Sequence, residues 1–156
     1  MYINDIKEID KIWCIDINRN TNDKKLKNAS SERVIPIHPK LIELGFLNFV
    51  KEQKKNKSQR LFSHLKLGSD GYIKNVSRFF NVKWLPEIGV KTNKKSFHSL
   101  RHTFANELKQ VGVNEQVASE LLGHASQSIT YGRYGKESRI EILLKEISKI
   151  QIKINR

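Results

Sequence analysis

The chain has 156 residues and carries 29 lysines and arginines against 16 aspartates and glutamates, which gives a formal net charge of +13 at pH 7. This length suits one domain with its own hydrophobic core. No apolar run approaches the roughly 20 residues of a membrane span, and the first residues do not form a signal peptide. The positive charge indicates a polyanionic partner, with nucleic acid as the first candidate and an acidic membrane surface as the second.

Residues 1–37 predict a small antiparallel sheet. Two runs within it, residues 12–17 and 34–37, are rich in β-branched and aromatic side chains. The polar stretch between them is long for a hairpin loop, and on general grounds it is a solvated connection. Cys14 is the only cysteine, so it cannot form an internal disulfide, and we interpret it as a buried thiol in a reducing cytosol.

Two amphipathic helices are predicted next. His38-Pro39 opens the first, whose apolar stripe reaches Val50. Tyr72 to Leu85 predicts the second, with its aromatic side chains in the core. Residues 51–60 between them are basic and polar, which is typical of an exposed linker. Three lysines follow the second helix, and we expect them to contact the phosphates of a DNA backbone: Lys91, Lys94 and Lys95.

The stretch from residue 96 to residue 136 contains the side chains best suited to chemistry. Ser96 is predicted to cap a helix on which His98 and Arg101, three residues apart, project from one face. Backbone amides and the macrodipole at such a helix N-terminus favour an anion. His102 is on another face, and we interpret it as structural.

A further helix is predicted directly afterwards. Gly112 ends the preceding helix, Asn114 caps the new one, and Gly123 ends it immediately before His124. Two tyrosines follow. A histidine, an arginine, a second histidine and an exposed tyrosine on neighbouring short helices suit chemistry on a phosphodiester.

Three motifs, in this order and spacing, resemble those of the tyrosine recombinases, the phage integrase family: His98-x-x-Arg101, Leu122-Gly123-His124 and Tyr134 within Tyr-Gly-Arg-Tyr-Gly-Lys. The resemblance covers most of the chain, roughly from Asp5 to the end. It implies a partial integrase-like catalytic domain of the α+β class, mainly α-helical, with a small antiparallel β-sheet near the N-terminus. Residues 1–37 would be its β-hairpin region, 38–136 its helical catalytic core and 137–156 its C-terminal helix and tail.

The resemblance also implies the reaction, which is site-specific DNA recombination or integration by strand cleavage and rejoining through a 3′-phosphotyrosine intermediate. Tyr134 matches the nucleophile. Tyr131 stays open as an alternative, because the interval from the second histidine to Tyr134 is one residue longer than in the best-known recombinases. Arg101 can bind the scissile phosphate with two donors, and His98 and His124 can hydrogen-bond it or move protons.

Family members carry a lysine in a β-turn near the start of this region, and Lys27 matches that position, with Lys24 and Lys25 as close alternatives. An ammonium on a loop can give a proton to the leaving 5′ oxygen. Arg133, next to the matched tyrosine, is expected to bind DNA. Neither a cofactor nor a metal is expected, because the phosphotyrosine conserves the ester energy and the histidines lack a cluster of carboxylates or thiolates.

One part of the family's pattern has no match. Tyrosine recombinases have another catalytic arginine on a helix before the strand that begins near Asp5, and Arg19, Arg33, Arg60 and Arg78 do not occupy that role. We therefore expect an N-terminally truncated catalytic domain with weak or no activity, since the loss of one preorganised donor lowers a rate by about 10²–10³.

Residues 137–156 predict a C-terminal helix with an apolar side formed by Ile140, Leu143, Leu144, Ile147 and Ile150. Two interpretations of this side stay open. It packs on the chain's own core, or it docks onto a neighbouring protomer, as the resemblance implies.

Two rival interpretations come from outside the family. The helices around Gly112 fit the helix-turn-helix of a non-catalytic DNA-binding regulator, which would make the four motif residues His98, Arg101, His124 and Tyr134 coincidences. A type IB topoisomerase shares the chemistry, but such enzymes usually have much larger flanking segments. The favoured interpretation is a recombinase of a bacterial or phage mobile element, in the cytoplasm and associated with the nucleoid, without a membrane partner.

Overall fold

The computed structural model describes residues 1–26, 31–68, 71–124 and 138–152. They group into two compact units, of which the first comprises Met1–Leu61 with Glu107–Arg156 and the second comprises Phe62–Asn106. The described chain is mainly helical, with one three-stranded antiparallel sheet near the N-terminus. This confirms the predicted proportion and placement of helix and sheet. Within the described ranges, none of the helices is long and apolar enough for a membrane crossing.

The sheet has the order β1-β2-β3, with β1 at Ile6–Ile9, β2 at Ile12–Ile17 and β3 at Arg33–Pro36. The two predicted strands are confirmed, and β1 is an additional strand. It joins β2 through Asp10 and Lys11, whose φ angles of 48° and 64° are those of a tight hairpin turn. Sequence reasoning missed β1 because it has four residues and its turn lacks the glycine that usually marks such hairpins.

Seven α-helices lie in the described ranges. A single π-helical turn at Phe80–Trp84 joins the third to the fourth. Their bounds are α1 Pro39–Glu43, α2 Phe46–Lys55, α3 Ile73–Phe79, α4 Leu85–Glu87, α5 Ser99–Gln110, α6 Glu115–Leu122 and α7 Ile140–Ile147.

The prediction that the first amphipathic segment forms a single helix is wrong. Gly45 has a φ of 89°, so it divides the segment into α1 and α2. Helix α2 also continues to Lys55, into the stretch that was predicted to be a linker. A left-handed residue cannot continue an α-helix, and glycine adopts that conformation without steric cost.

The prediction that the aromatic side chains of residues 72–85 lie in the core is also wrong. Phe79 is 54% exposed and Trp84 is 40% exposed, while Phe80 is half-buried. The π-helical turn changes the helical phase after Phe79, because it inserts extra residues per turn. A stripe calculated at 3.6 residues per turn therefore does not place Trp84, whereas Phe79 lies before this turn and is exposed on α3 itself.

The core of the first unit joins the sheet to helices from the end of the chain. Its fully buried side chains include Cys14 and Ile37 beside the sheet, and Leu108 in α5. Helix α7 packs against β3, and its apolar side is buried at Leu143 and Ile147. Burial raises the pKa of the Cys14 thiol.

The C-terminal apolar side therefore packs on the chain's own core in the part that the structure describes. The helix is shorter than predicted, since α7 ends at Ile147, and Ile150 is buried beyond its end. His38 links this region to α1: its Nδ1 accepts from the Lys40 amide at 3.0 Å, and its Nε2 contacts the Ile150 carbonyl at 3.0 Å. An Nδ1 that accepts leaves Nε2 as the donor. Docking onto a second protomer stays a prediction.

Candidate functional site

His98 and Arg101 lie on the first turn of α5, in the second unit. The Arg101 amide donates to the His98 carbonyl at 3.0 Å, so both residues belong to one turn as predicted. The cap differs from the prediction, because the helix begins at Ser99 and the Ser99 hydroxyl accepts from the Ser96 amide at 3.0 Å. His98 is exposed and Arg101 is half-buried.

Two contacts hold the residue before His98 in place. The Phe97 amide donates to the Asn81 side-chain oxygen at 2.8 Å. The Phe97 ring also packs edge-on against Phe80, with ring centroids 5.2 Å apart. Both partners lie in the π-helical turn, so this turn supports the start of α5. Sequence reasoning missed the role of Asn81, since no local pattern links residues 16 positions apart.

His102 lies beside His98, although it was predicted to be on another face of the helix. The two imidazole rings meet edge to face, with centroids 5.0 Å apart and an interplanar angle of 83°. A spacing of four residues places side chains next to each other on a helix, which was the signal available in the sequence. His102 therefore restricts the orientations of the His98 ring.

The three predicted phosphate-binding lysines lie on a turn just before His98. All three are exposed. The Lys95 amide donates to the Thr92 carbonyl at 3.2 Å, and the Lys91 ammonium donates to the Lys95 carbonyl at 3.0 Å. The turn therefore concentrates three positive charges, from Lys91, Lys94 and Lys95, directly before the start of α5.

His124 follows α6 in the first unit, and the predicted helix ends around it are confirmed. The Asn114 side chain accepts from the Gln116 amide at 2.9 Å and caps α6. Gly123 ends α6 with a φ of 68°. The His124 amide then donates to the Ser119 carbonyl at 2.9 Å, which closes the terminal turn. The His124 side chain is exposed.

The guanidinium of Arg33, at the start of β3, lies against the turn before His124. Its Nε donates to the Leu121 carbonyl at 3.3 Å, and one terminal nitrogen donates to the Ser31 carbonyl at 2.8 Å. A Cβ added to Gly123 would lie within 3.0 Å of three guanidinium atoms. Glycine is favoured here for its positive φ, and an added Cβ would also displace the Arg33 guanidinium. Sequence reasoning assigned Arg33 to the hairpin alone.

Four predicted site residues lie outside the described ranges: Lys27, Tyr131, Arg133 and Tyr134. The structure does describe residues that flank the tyrosines. Glu120, on the last turn of α6, accepts from the Ser138 amide at 3.0 Å. Helix α6 thus contacts the chain on both sides of residues 125–137, through the His124 amide and through Glu120.

The loop that follows β2 is attached to the first unit by ion pairs. The Lys24 ammonium contacts Asp5 Oδ1 and Asn18 Oδ1, both at 2.6 Å, and the Asp5 side chain is only 8% exposed. Burial opposes the charged form of Asp5, but the hydrogen bonds from Lys24 and from the Tyr2 amide outweigh it and lower the pKa of the carboxyl. Lys24 is therefore part of a structural ion pair, which makes it a poor alternative to Lys27. Lys25 is exposed.

A second carboxylate, Asp23, supports the same loop. It accepts from the Thr21 hydroxyl at 2.8 Å and the Tyr2 hydroxyl at 2.9 Å, and it pairs with Arg60. The hydrogen bond from Thr21 contributes most to lowering the pKa of Asp23 to about 2, and Tyr2 and Arg60 add to it.

These two carboxylates predict a loss of stability in acid. An aspartate with a depressed pKa in the folded chain stabilises it fully above its ordinary value of 3.8, and this contribution disappears as the pH falls through the folded value. We expect the free energy of unfolding in urea to decrease between about pH 4 and pH 2. Asp23→Asn should reduce this decrease in the free energy of unfolding, whereas Asp10→Asn, at an exposed turn, should not. A free energy that stays constant over this range would contradict the prediction.

Comparison with known proteins decides the family. The model of the phage integrase family matches residues 1–139. The chain belongs to the phage integrase family. A tyrosine recombinase of Pseudothermotoga lettingae is 33% identical over 103 residues, which cover 65% of this chain and 34% of the relative. A tyrosine recombinase XerC-like protein of Caldanaerobacter subterraneus subsp. tengcongensis is 31% identical over 126 residues, or 69% of this chain and 29% of the relative.

A tyrosine recombinase XerD of Staphylococcus aureus is 32% identical over 109 residues, which cover 65% of this chain and 35% of the relative. The matched part therefore spans about a third of the length of these curated relatives. No solved structure gives a significant match.

The relatives are tyrosine recombinases by name, so DNA recombination is an activity of those proteins, and for this chain it is a proposal that is made below. The non-catalytic regulator is not favoured, since it accounts for neither the family match nor the motif residues. In the part of the chain that the structure describes, no group of three or more histidines, cysteines or acidic residues is arranged to hold a metal ion.

Proposed function

We propose that this chain provides a partial integrase-like catalytic domain, which cleaves and rejoins DNA at specific sites through a 3′-phosphotyrosine. The observation that carries the proposal is the first turn of α5, where a member of this family places His98 and Arg101 together, directly after a turn with three exposed lysines. His124, at the end of α6, supplies a further imidazole at an exposed position.

The proposed reaction is a transesterification. The Tyr134 oxygen forms a bond to phosphorus, the bond from phosphorus to the 5′ oxygen breaks, and the tyrosine proton passes to an imidazole. Arg101 binds two phosphate oxygens through its planar fork of donors, and His98 and His124 stabilise the charge that develops on them. Lys27 gives a proton to the leaving 5′ oxygen. Rejoining reverses these steps and needs no nucleotide cofactor.

The lysines of the chain divide between DNA binding and proton transfer. Lys91, Lys94 and Lys95 bind backbone phosphates, which positions DNA without reading its sequence. Lys24 is in an ion pair with Asp5, so Lys27 carries the proton transfer. Arg133 also binds DNA in this proposal.

The test uses a duplex with a nick near the cleaved phosphate, so that the freed strand diffuses away and the covalent complex accumulates. We expect a slowly formed protein–DNA adduct that survives denaturant and disappears on proteolysis. The rate is expected to be low, because the chain matches one arginine of the family's pair and each such donor contributes about 10²–10³. Cleavage at a rate typical of intact family members would contradict the expected weak activity. Tight binding to one duplex sequence without an adduct would favour the regulator.

Arg101→Lys is expected to lower the rate of adduct formation by about 10²–10³, because lysine keeps the charge and loses the bidentate geometry. Two quantities are compared between the variant and the wild type: the rate of adduct formation at saturating nicked duplex and the dissociation constant for DNA. Arg78→Lys, an exposed change on α3, is the matched control and should leave the rate unchanged. Equal losses in the two variants would argue against a role for Arg101 at the phosphate.

A further inference from the structure

Arg33 joins two parts of the first unit that are far apart in the sequence. Its side chain begins on β3, donates to Ser31 in the loop between β2 and β3, and donates to Leu121 on α6, 88 residues away. The guanidinium also packs against Gly123. One planar group therefore contacts Ser31 and the turn that precedes His124.

The bond to Leu121 satisfies a carbonyl at the end of α6. The last four carbonyls of a helix lack intrahelical partners. Here the Gly123 amide donates to the Glu120 carbonyl and the His124 amide donates to the Ser119 carbonyl, as the turn requires, and the Arg33 Nε donates to the Leu121 carbonyl. A positive charge at a helix C-terminus is also favoured by the macrodipole.

A second glycine turn in the same unit shows what Arg33 adds. Gly112 ends α5 with a φ of 71°, and the Val113 amide donates to Leu108 at 3.0 Å, which repeats the bond from His124 to Ser119. A Cβ added to Gly112 would contact nothing within 4 Å. The two turns share their backbone geometry, and the guanidinium lies against only the Gly123 turn.

We infer that Arg33 is a positioning residue for His124, a role that rests on the proposed function of His124 in DNA cleavage. By donating to the Leu121 carbonyl and packing against Gly123, Arg33 ties the end of α6 to β3 and holds the turn in place beside the sheet. His124 is the next residue, so its place follows from that attachment. The bond to Ser31 places that residue on the same guanidinium.

The first test separates positioning from folding by hydrogen exchange. Arg33→Ala should speed exchange of the His124 amide and leave the Val113 amide unchanged. Gly123→Ala should displace the guanidinium and speed exchange of the His124 amide, and in an Arg33→Ala background it should add no more than the strain effect that Gly112→Ala has on Val113. Gly112→Ala is the matched control for strain at a positive φ. Unchanged exchange at His124 in Arg33→Ala would overturn the inference.

The second test measures the reaction. In the nicked-duplex assay, Arg33→Ala should lower the adduct rate at saturating DNA by about 100-fold, the cost of a displacement of about 1 Å. The dissociation constant for DNA should stay within about twofold, and Arg33→Lys should recover part of the rate. Arg19→Ala, a change in the loop between β2 and β3, should leave both the adduct rate and the dissociation constant for DNA at their wild-type values.

The two tests distinguish a failure of the proposed function from a failure of the positioning role. A wild-type chain that forms no adduct would refute the proposed function, and exchange at His124 would still decide whether Arg33 holds the turn. An adduct rate that is unchanged in Arg33→Ala would overturn the positioning role even with faster exchange at His124.

Discussion

Replacing Tyr134 by phenylalanine is expected to abolish covalent adduct formation on a nicked duplex. Phenylalanine lacks the oxygen that forms the bond to phosphorus, so no intermediate can form, whatever the remaining residues contribute. DNA binding should stay within about twofold, because the phosphate contacts that dominate affinity come from basic side chains. The measurement is the fraction of labelled DNA that migrates with the protein in denaturant.

Tyr131→Phe is the matched control for this change. It removes the same hydroxyl three residues earlier, and we expect the adduct to form at the wild-type rate. An adduct that is lost in Tyr131→Phe and kept in Tyr134→Phe would transfer the nucleophile to Tyr131. An adduct that persists in both variants would mean that neither tyrosine attacks the phosphate.

Replacing Leu108 by alanine should lower the free energy of unfolding by about 2–5 kcal/mol, the range for a fully buried leucine. Leu108 is 0% exposed and lies in the last turn of α5. Its carbonyl accepts from the Val113 amide, and Val113 is itself buried. The cavity would therefore lie beside the turn that joins α5 to α6. Urea unfolding monitored by circular dichroism measures the loss.

Leu100→Ala is the control for the same substitution at an exposed position of α5. Leu100 lies on the same helix and is 51% exposed, so its truncation removes little buried surface. We expect a change within about 0.5 kcal/mol, since exposed substitutions rarely cost more. Equal losses in the two variants would show that the burial of Leu108 does not determine the effect, since alanine is at least as good a helix former as leucine.

The predicted helix ends around α6 were confirmed because local chemistry determines them. Gly112 and Gly123 adopt positive φ angles, and Asn114 caps the helix, as their residue types indicate. These features depend on backbone sterics and on hydrogen bonds within a few residues. The pairing of His98 with Arg101 on one turn was predictable for the same reason.

The errors of prediction had both local and distant causes. The left-handed Gly45 and the π-helical turn at Phe80–Trp84 interrupted the regular period on which the helix predictions relied. The short strand β1 depended on pairing with β2 rather than on a turn motif. The ion pair between Lys24 and Asp5 was invisible in the sequence, because neither residue has a local pattern that selects the other.

The sequence by itself determined the family and the helix ends, because motif order and local backbone rules depend on near neighbours. The tertiary structure alone decided which side chains contact those helix ends. Arg33 reaches the end of α6 only because β3 and α6 pack in the same unit. The contact between Glu120 and Ser138 arises in the same way, since burial and long-range hydrogen bonds depend on how the chain returns to itself.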